Sequence, residues 1–111
     1  MKKHLLTTMI LLLVILSKGS FAKEALTKTS FKVSGNCDMC KNRIEKAAKT
    51  EGVKTAVWNV DTHLLTLTFA PAKISFADIE QNIAKAGYDT DRYKADSSAY
   101  GKLPQCCQYE R

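Results

Sequence analysis

Histidine is nearly absent from this 111-residue chain, which holds only His4 and His63. No grouping of serine, histidine and carboxylate supports hydrolysis, and the scattered glycines build no phosphate-cradling loop. An enzyme is therefore not expected. A membrane-spanning apolar run is missing too, since Leu5 to Leu16 is about a dozen residues against the roughly 20 a bilayer requires. Lys2, Lys3 and His4 precede that run and Ser20-Phe21-Ala22 follows it. This is the layout of a secretory signal peptide over residues 1–22, cleaved after Ala22. The expectation is a periplasmic or otherwise exported protein with no stable membrane insertion after cleavage. No cysteine stands near the exit, so a lipid anchor has no attachment site. Lys2, Lys3 and Lys18 leave with the segment and no acid goes with them, so the formal charge falls from +6 to +3. A mildly basic product without interleaved aromatics has no nucleic-acid footprint.

The chain does have cysteine, in two pairs. Cys37 and Cys40 bracket Asp38-Met39, while Cys106 and Cys107 are adjacent and far away. A disulfide framework would scatter its cysteines, and neighbouring cysteines join each other only with strain. Two pairs of ligands fit better. Cys37 and Cys40 stand where a strand-like run (Phe31, Val33) gives way to helical spacing (Cys40, Ile44, Ala47, Ala48). Orphan N–H groups at the helix start, with Lys41 and Arg43 behind them, favour thiolate over thiol. Two thiolates on a short loop suit soft ions such as Cu(I), with Hg(II) the alternative, whereas Zn(II) prefers four ligands. Low coordination leaves room for an acceptor's thiols to take the ion. The rival is a thiol–disulfide redox module, or a resting disulfide. Against catalysis, no Gly-Pro separates the cysteines, and the Asp38 charge opposes a low thiol pKa. About a dozen tail residues at ~3.3 Å each reach ~40 Å, enough to bring Cys106 and Cys107 back to the loop. They are candidates for third and fourth ligands or a second metal position. A disulfide to the loop, an intermolecular link and an independent thiol pair remain as alternatives.

Residues 23–29 read as a flexible lead, 30–94 as one domain and 95–111 as a tail. Ser30 to Val33 alternates as a half-buried strand. The first helix runs from Met39 to about Thr50 and stops at Glu51-Gly52. Ala56, Trp58 and Val60, then Leu65, Leu67 and Phe69, alternate on either side of a polar turn and predict a hairpin. Ser75-Phe76-Ala77-Asp78 is a capping box opening a helix through Phe76, Ile79, Ile83 and Ala86. Tyr88 to Tyr93 is expected to form a last short strand. The order is βαββαβ: an α+β, ferredoxin-like sandwich, a four-stranded antiparallel sheet with two helices on one face. His63 falls on the hairpin rim near the thiols and reads as a solvated turn histidine.

Phe31-x-Val33-x-Gly35 leading to Cys37-x-x-Cys40, then Ile44-Glu45, Gly52-Val53 and Gly87-Tyr88, resembles the heavy-metal-associated domain family from Phe31 to about Asp91. That family includes copper chaperones, amino-terminal domains of copper-transporting ATPases and periplasmic mercuric-ion-binding proteins. The resemblance implies Cys37 and Cys40 as primary ligands, with Cu(I) favoured and Hg(II) or Zn(II) as alternatives. It implies Tyr88 beside the thiolates as a shield. It also implies a metal-transporting ATPase, or an efflux or uptake component, with a cysteine-containing acceptor site. Most members have Gly-Met-x-Cys, whereas here Asn36 alone separates Gly35 from Cys37, so Asn36 is expected to shape a tighter loop. A monomer is expected, with a metal- or disulfide-linked dimer as the alternative. The tail lies outside the resemblance.

Overall fold

The structure is a computed structural model that describes residues 25–111. The signal segment and the first residues of the lead lie outside the described residues. Three strands form an antiparallel sheet in the order β1-β3-β2: β1 Thr27–Lys32, β2 Val53–Trp58 and β3 Leu64–Phe69. β1 begins at Thr27, which pairs with Phe69, so the end of the expected lead is part of the sheet. Leu65, Leu67 and Phe69 alternate inward along the central strand, facing Phe31, Val53 and Trp58. The opposite face is open, and there Ser30 and Thr66 share a cross-strand hydroxyl pair at 2.9 Å.

Helix α1 spans Asp38–Ala48 and buries Cys40, Ile44 and Ala48, a stripe at four-residue spacing. It stops short of the expected Thr50, because Lys49 and Thr50 already turn toward Gly52. Glu45 ties α1 to the sheet, its carboxylate accepting from the Trp58 N–H at 2.8 Å. Helix α2 spans Phe76–Lys85, and the Ser75 hydroxyl caps it by accepting from the Asp78 N–H at 3.0 Å. Ile79 and Ile83 are fully buried, and Phe76 meets Phe31 edge-on, 5.0 Å between centroids. Both helices thus cover the apolar face of the sheet.

The fourth strand is the main correction. Only an isolated antiparallel bridge, Val33 to Thr90, stands where it was expected. Polar side chains divert the backbone just there. The Thr90 hydroxyl donates to Glu80 and accepts from the Tyr93 N–H, and the Thr90 N–H donates to the Tyr93 carbonyl. Asp89 likewise accepts from the Ala95 N–H at 2.8 Å. These local bonds close a turn in place of a ladder. Glu80 is buried within this knot, where the guanidinium of Arg92 neutralises it.

Residues 95–111 are packed, with a short helix α3 at Ser97–Gly101 and a 3-10 turn at Gln105–Cys107. Leu103, Cys107 and Tyr109 belong to the main core. Gly87 permits this. Its φ is +105°, and a Cβ there would stand 2.9 Å from the Ala99 carbonyl oxygen. Among the described residues no helix is long and apolar enough to cross a membrane.

Candidate metal centre

Cys37 occupies the N-cap position of α1 in extended backbone, with its side chain free of capping duty. Cys40 lies one turn along, fully buried, and the two sulfurs are 3.8 Å apart. Gly35 sets the tightness of this loop, since a Cβ there would press on the Trp58 ring at 3.0 Å. Trp58 is held in turn by its indole N–H, which donates to the Val33 carbonyl at 3.0 Å. Gly35 therefore matters through close approach of a neighbour; its φ is not in the left-handed region.

The tail supplies the third sulfur. Cys37, Cys40 and Cys107 place their Sγ atoms within 4.8 Å of one another. Cys106 lies outside that set, exposed, with its Sγ 3.6 Å from the Met39 Sδ and its side chain beside Cys37 and Cys107. The 3-10 turn accounts for this split by sending successive side chains in different directions. Asn36 holds the turn down, donating from Nδ2 to the Cys106 carbonyl at 3.2 Å. Tyr109 is the deeper anchor. Its hydroxyl donates to the Gly87 carbonyl at 2.8 Å and accepts from the Asp89 N–H at 2.9 Å. Its ring stacks on Tyr88 and meets Tyr100 edge-on. Arg111 closes the tail against the Asp89 carboxylate at 3.1 Å.

The thiols differ in acidity. The Cys40 N–H, aided by that of Met39, pulls the Cys37 pKa below its ordinary value. Lys41, expected to help, is instead engaged with Glu45 and the Trp58 carbonyl. Burial, reinforced by the neighbouring Cys40, pushes Cys107 up to about 12. Tyr88 is fully buried beside Cys107, its phenol kept protonated by burial, and its hydroxyl has no hydrogen-bond partner. His63 stacks on Trp58 at 5.4 Å and takes no part in the thiol cluster.

The donor set fits a soft ion. A metal bonded to sulfur at about 2.3 Å in a trigonal plane spaces its ligands about 4 Å apart. The 3.8 Å Cys37–Cys40 separation matches, and the third thiol needs to close by less than an ångström. Among the described residues no histidine or carboxylate joins the three thiols. The partnerless Tyr88 hydroxyl is a donor awaiting charge on the sulfur beside it. Of the residues read as site candidates, the structure brings Cys37, Cys40, Cys107, Asn36 and Tyr88 together, and leaves the Cys106 thiol exposed at their edge. Tyr109, Asp89 and Arg111 escaped sequence reasoning, although two tyrosines flanking the cysteine pair were a signal of a packed tail.

Comparison with known proteins points the same way. The chain is 33% identical over 66 residues to the copper chaperone CopZ of Staphylococcus epidermidis, covering 58% of this chain and 97% of that one. Oxidized MerP from Ralstonia metallidurans CH34 superposes with a TM-score of 0.57 at 30% identity, over 60% of this chain and 96% of that one. A Cu(I)-loaded N-terminal domain of a potential copper-translocating P-type ATPase from Bacillus subtilis does so at 0.56 and 34%, over 60% and 85%. Residues 30–89 match the heavy-metal-associated domain, and the match ends before the segment carrying Cys106 and Cys107. Over half its length, and with the two thiols at the start of α1, this chain belongs to the heavy-metal-associated domain family.

Proposed function

We propose that this protein is a periplasmic carrier of a soft metal ion, Cu(I) above others, which it captures at Cys37-x-x-Cys40 and hands to a cysteine-containing acceptor. The observation that carries the reading is the convergence of the Cys37, Cys40 and Cys107 sulfurs within 4.8 Å. The similarity to proteins named for copper supports the choice of ion. Cys37, the more accessible thiol, with its pKa lowered by the Cys40 N–H, makes first contact, and Cys40 follows from the buried side. Cys107 completes a trigonal set and releases its proton as it binds. Asn36 holds the tail in place and Tyr88 excludes water.

Transfer follows from ligand exchange. Acceptor thiols lose their protons as they bond the ion in turn, and Cys107, then Cys40 and Cys37, leave it and regain protons, so the ion passes on. A metal-transporting ATPase domain of the same family is a fitting acceptor. Export by the amino-terminal segment places the carrier in the periplasm.

The test is a Cu(I) titration of the reduced protein against a chromogenic Cu(I) chelator, with native mass spectrometry for stoichiometry. Tight uptake of a first equivalent, abolished by Cys37→Ser or Cys40→Ser and weakened at least tenfold by Cys107→Ser, is expected. Uptake that survives Cys40→Ser, or turnover of a disulfide substrate without metal binding, would overturn the carrier reading. Secretion of a reporter fused after Ala22, lost on deleting Leu5–Leu16, checks the location.

A further inference from the structure

We propose that Met39 and Cys106 form a second, outer position for a soft monovalent cation, at the mouth of the three-thiol cluster. The proposal rests on the reading of that cluster as a soft-metal site and extends it outward. Two sulfurs, one thioether and one thiol, stand 3.6 Å apart on the surface. Met39 is 49% exposed, although methionine at such a place contributes nothing to the core. Its position within the first turn of α1 and the fixed Cys106 turn bring the pair together from residues 67 apart in sequence.

The surroundings are organised as well. The Cys106 backbone is held by Asn36, and its carbonyl lies 3.7 Å from the Cys37 sulfur. Cys37, half-buried, adjoins both the inner group and the outer pair. Five sulfurs thus line one path, from buried Cys40 and Cys107, through Cys37, to exposed Cys106 and Met39. A neutral thioether discriminates by softness: it holds Cu(I) and ignores Zn(II) or Ca(II). The outer position offers one thiol and one neutral thioether, where the inner offers three thiols. The outer position is the weaker and the more exposed, suited to receiving an ion before Cys37 draws it inward. Side-by-side packing of two surface sulfurs is the rival explanation, and it predicts no second ion.

Native mass spectrometry of the reduced protein titrated with Cu(I) separates the two. The wild type is expected to take a second equivalent at least tenfold more weakly than the first. Met39→Leu and Cys106→Ser should each abolish the second, and Met39→Leu should leave the affinity of the first within about twofold. Leu preserves helix propensity and bulk at an exposed site, so Met39→Leu does not test folding. A wild type saturating at one ion, or a second ion persisting in both variants, would overturn the outer site alone. A second ion seen only in a dimer would overturn it too, as a bridge between chains. Absence of the first equivalent would overturn instead the carrier reading beneath it.

Discussion

Replacing Cys107 with serine should alter how Cu(I) affinity depends on pH, by an amount the structure sets. Burial keeps Cys107 protonated far above neutrality, with its pKa pushed up to about 12. A metal entering the wild-type site between pH 6 and 8 must therefore displace this proton. Serine leaves no such proton to displace. The Cys37 pKa is lowered chiefly by the Cys40 N–H and then that of Met39, contacts that the substitution does not touch. The Cys37 part of the proton release is then common to both proteins. The difference is about one proton, or about tenfold in apparent affinity per pH unit. From pH 6 to 8 the wild type should gain about a hundredfold more than Cys107→Ser. Competition titrations against a Cu(I) chelator, corrected for the chelator's own protonation, measure both slopes. Equal slopes would show that Cys107 is not a ligand, whatever the change in absolute affinity.

Two further outcomes follow from the same packing. Gly87→Ala places a Cβ 2.9 Å from the Ala99 carbonyl oxygen and 3.1 Å from Leu103, at φ +105°. It should cost about 1–3 kcal/mol in urea unfolding and speed amide exchange across residues 97–111; unchanged exchange there would refute the role given to Gly87. The metal-free protein should lose stability in alkali. Cys107 is raised from 9.0 to about 12 and Tyr109 from 10.0 to about 12, so the unfolded chain releases these protons first. Their contribution is present in full below about pH 9 and disappears as pH climbs toward 12. Urea midpoints should hold from pH 7 to about 8.5 and then fall, less steeply in Cys107→Ser, and a flat midpoint to pH 11 would refute this.

The legible parts of the chain are those whose cause is local. The Leu65-Leu67-Phe69 alternation, the Cys40-Ile44-Ala48 stripe and the Ser75 cap each act within one element, and each stands where periodicity places it. The thiol loop was legible for the same reason. Tyr88 to Tyr93 was misread because strand propensity says nothing of a buried Glu80 that captures Thr90 and Arg92 from another element. The tail was legible only as reach. Which cysteine faces inward depends on the 3-10 turn after Pro104 and on Tyr109 finding Gly87, and neither leaves a periodic trace.

The missing strand and the third sulfur are one feature. In a full ladder the Asp89 N–H would be available for sheet pairing; here it donates to the Tyr109 hydroxyl. The Asp89 carboxylate bonds Arg111, and its carbonyl still accepts from Ser34 at 2.9 Å, keeping the segment against β1. One residue thus joins the edge of the sheet to the end of the chain. A polar turn where the fourth strand would run is what lets the tail lie across Gly87-Tyr88 and deliver Cys107 to the α1 amino terminus. It follows that the metal site and the fold of the tail are thermodynamically linked. An ion bound through Cys107 stabilises residues 95–111, and a tail loosened at Tyr109 weakens the ion's hold without any change at Cys37 or Cys40. Under the proposed carrier function, handover to an acceptor would begin with displacement of the tail's sulfur, ahead of Cys37 and Cys40.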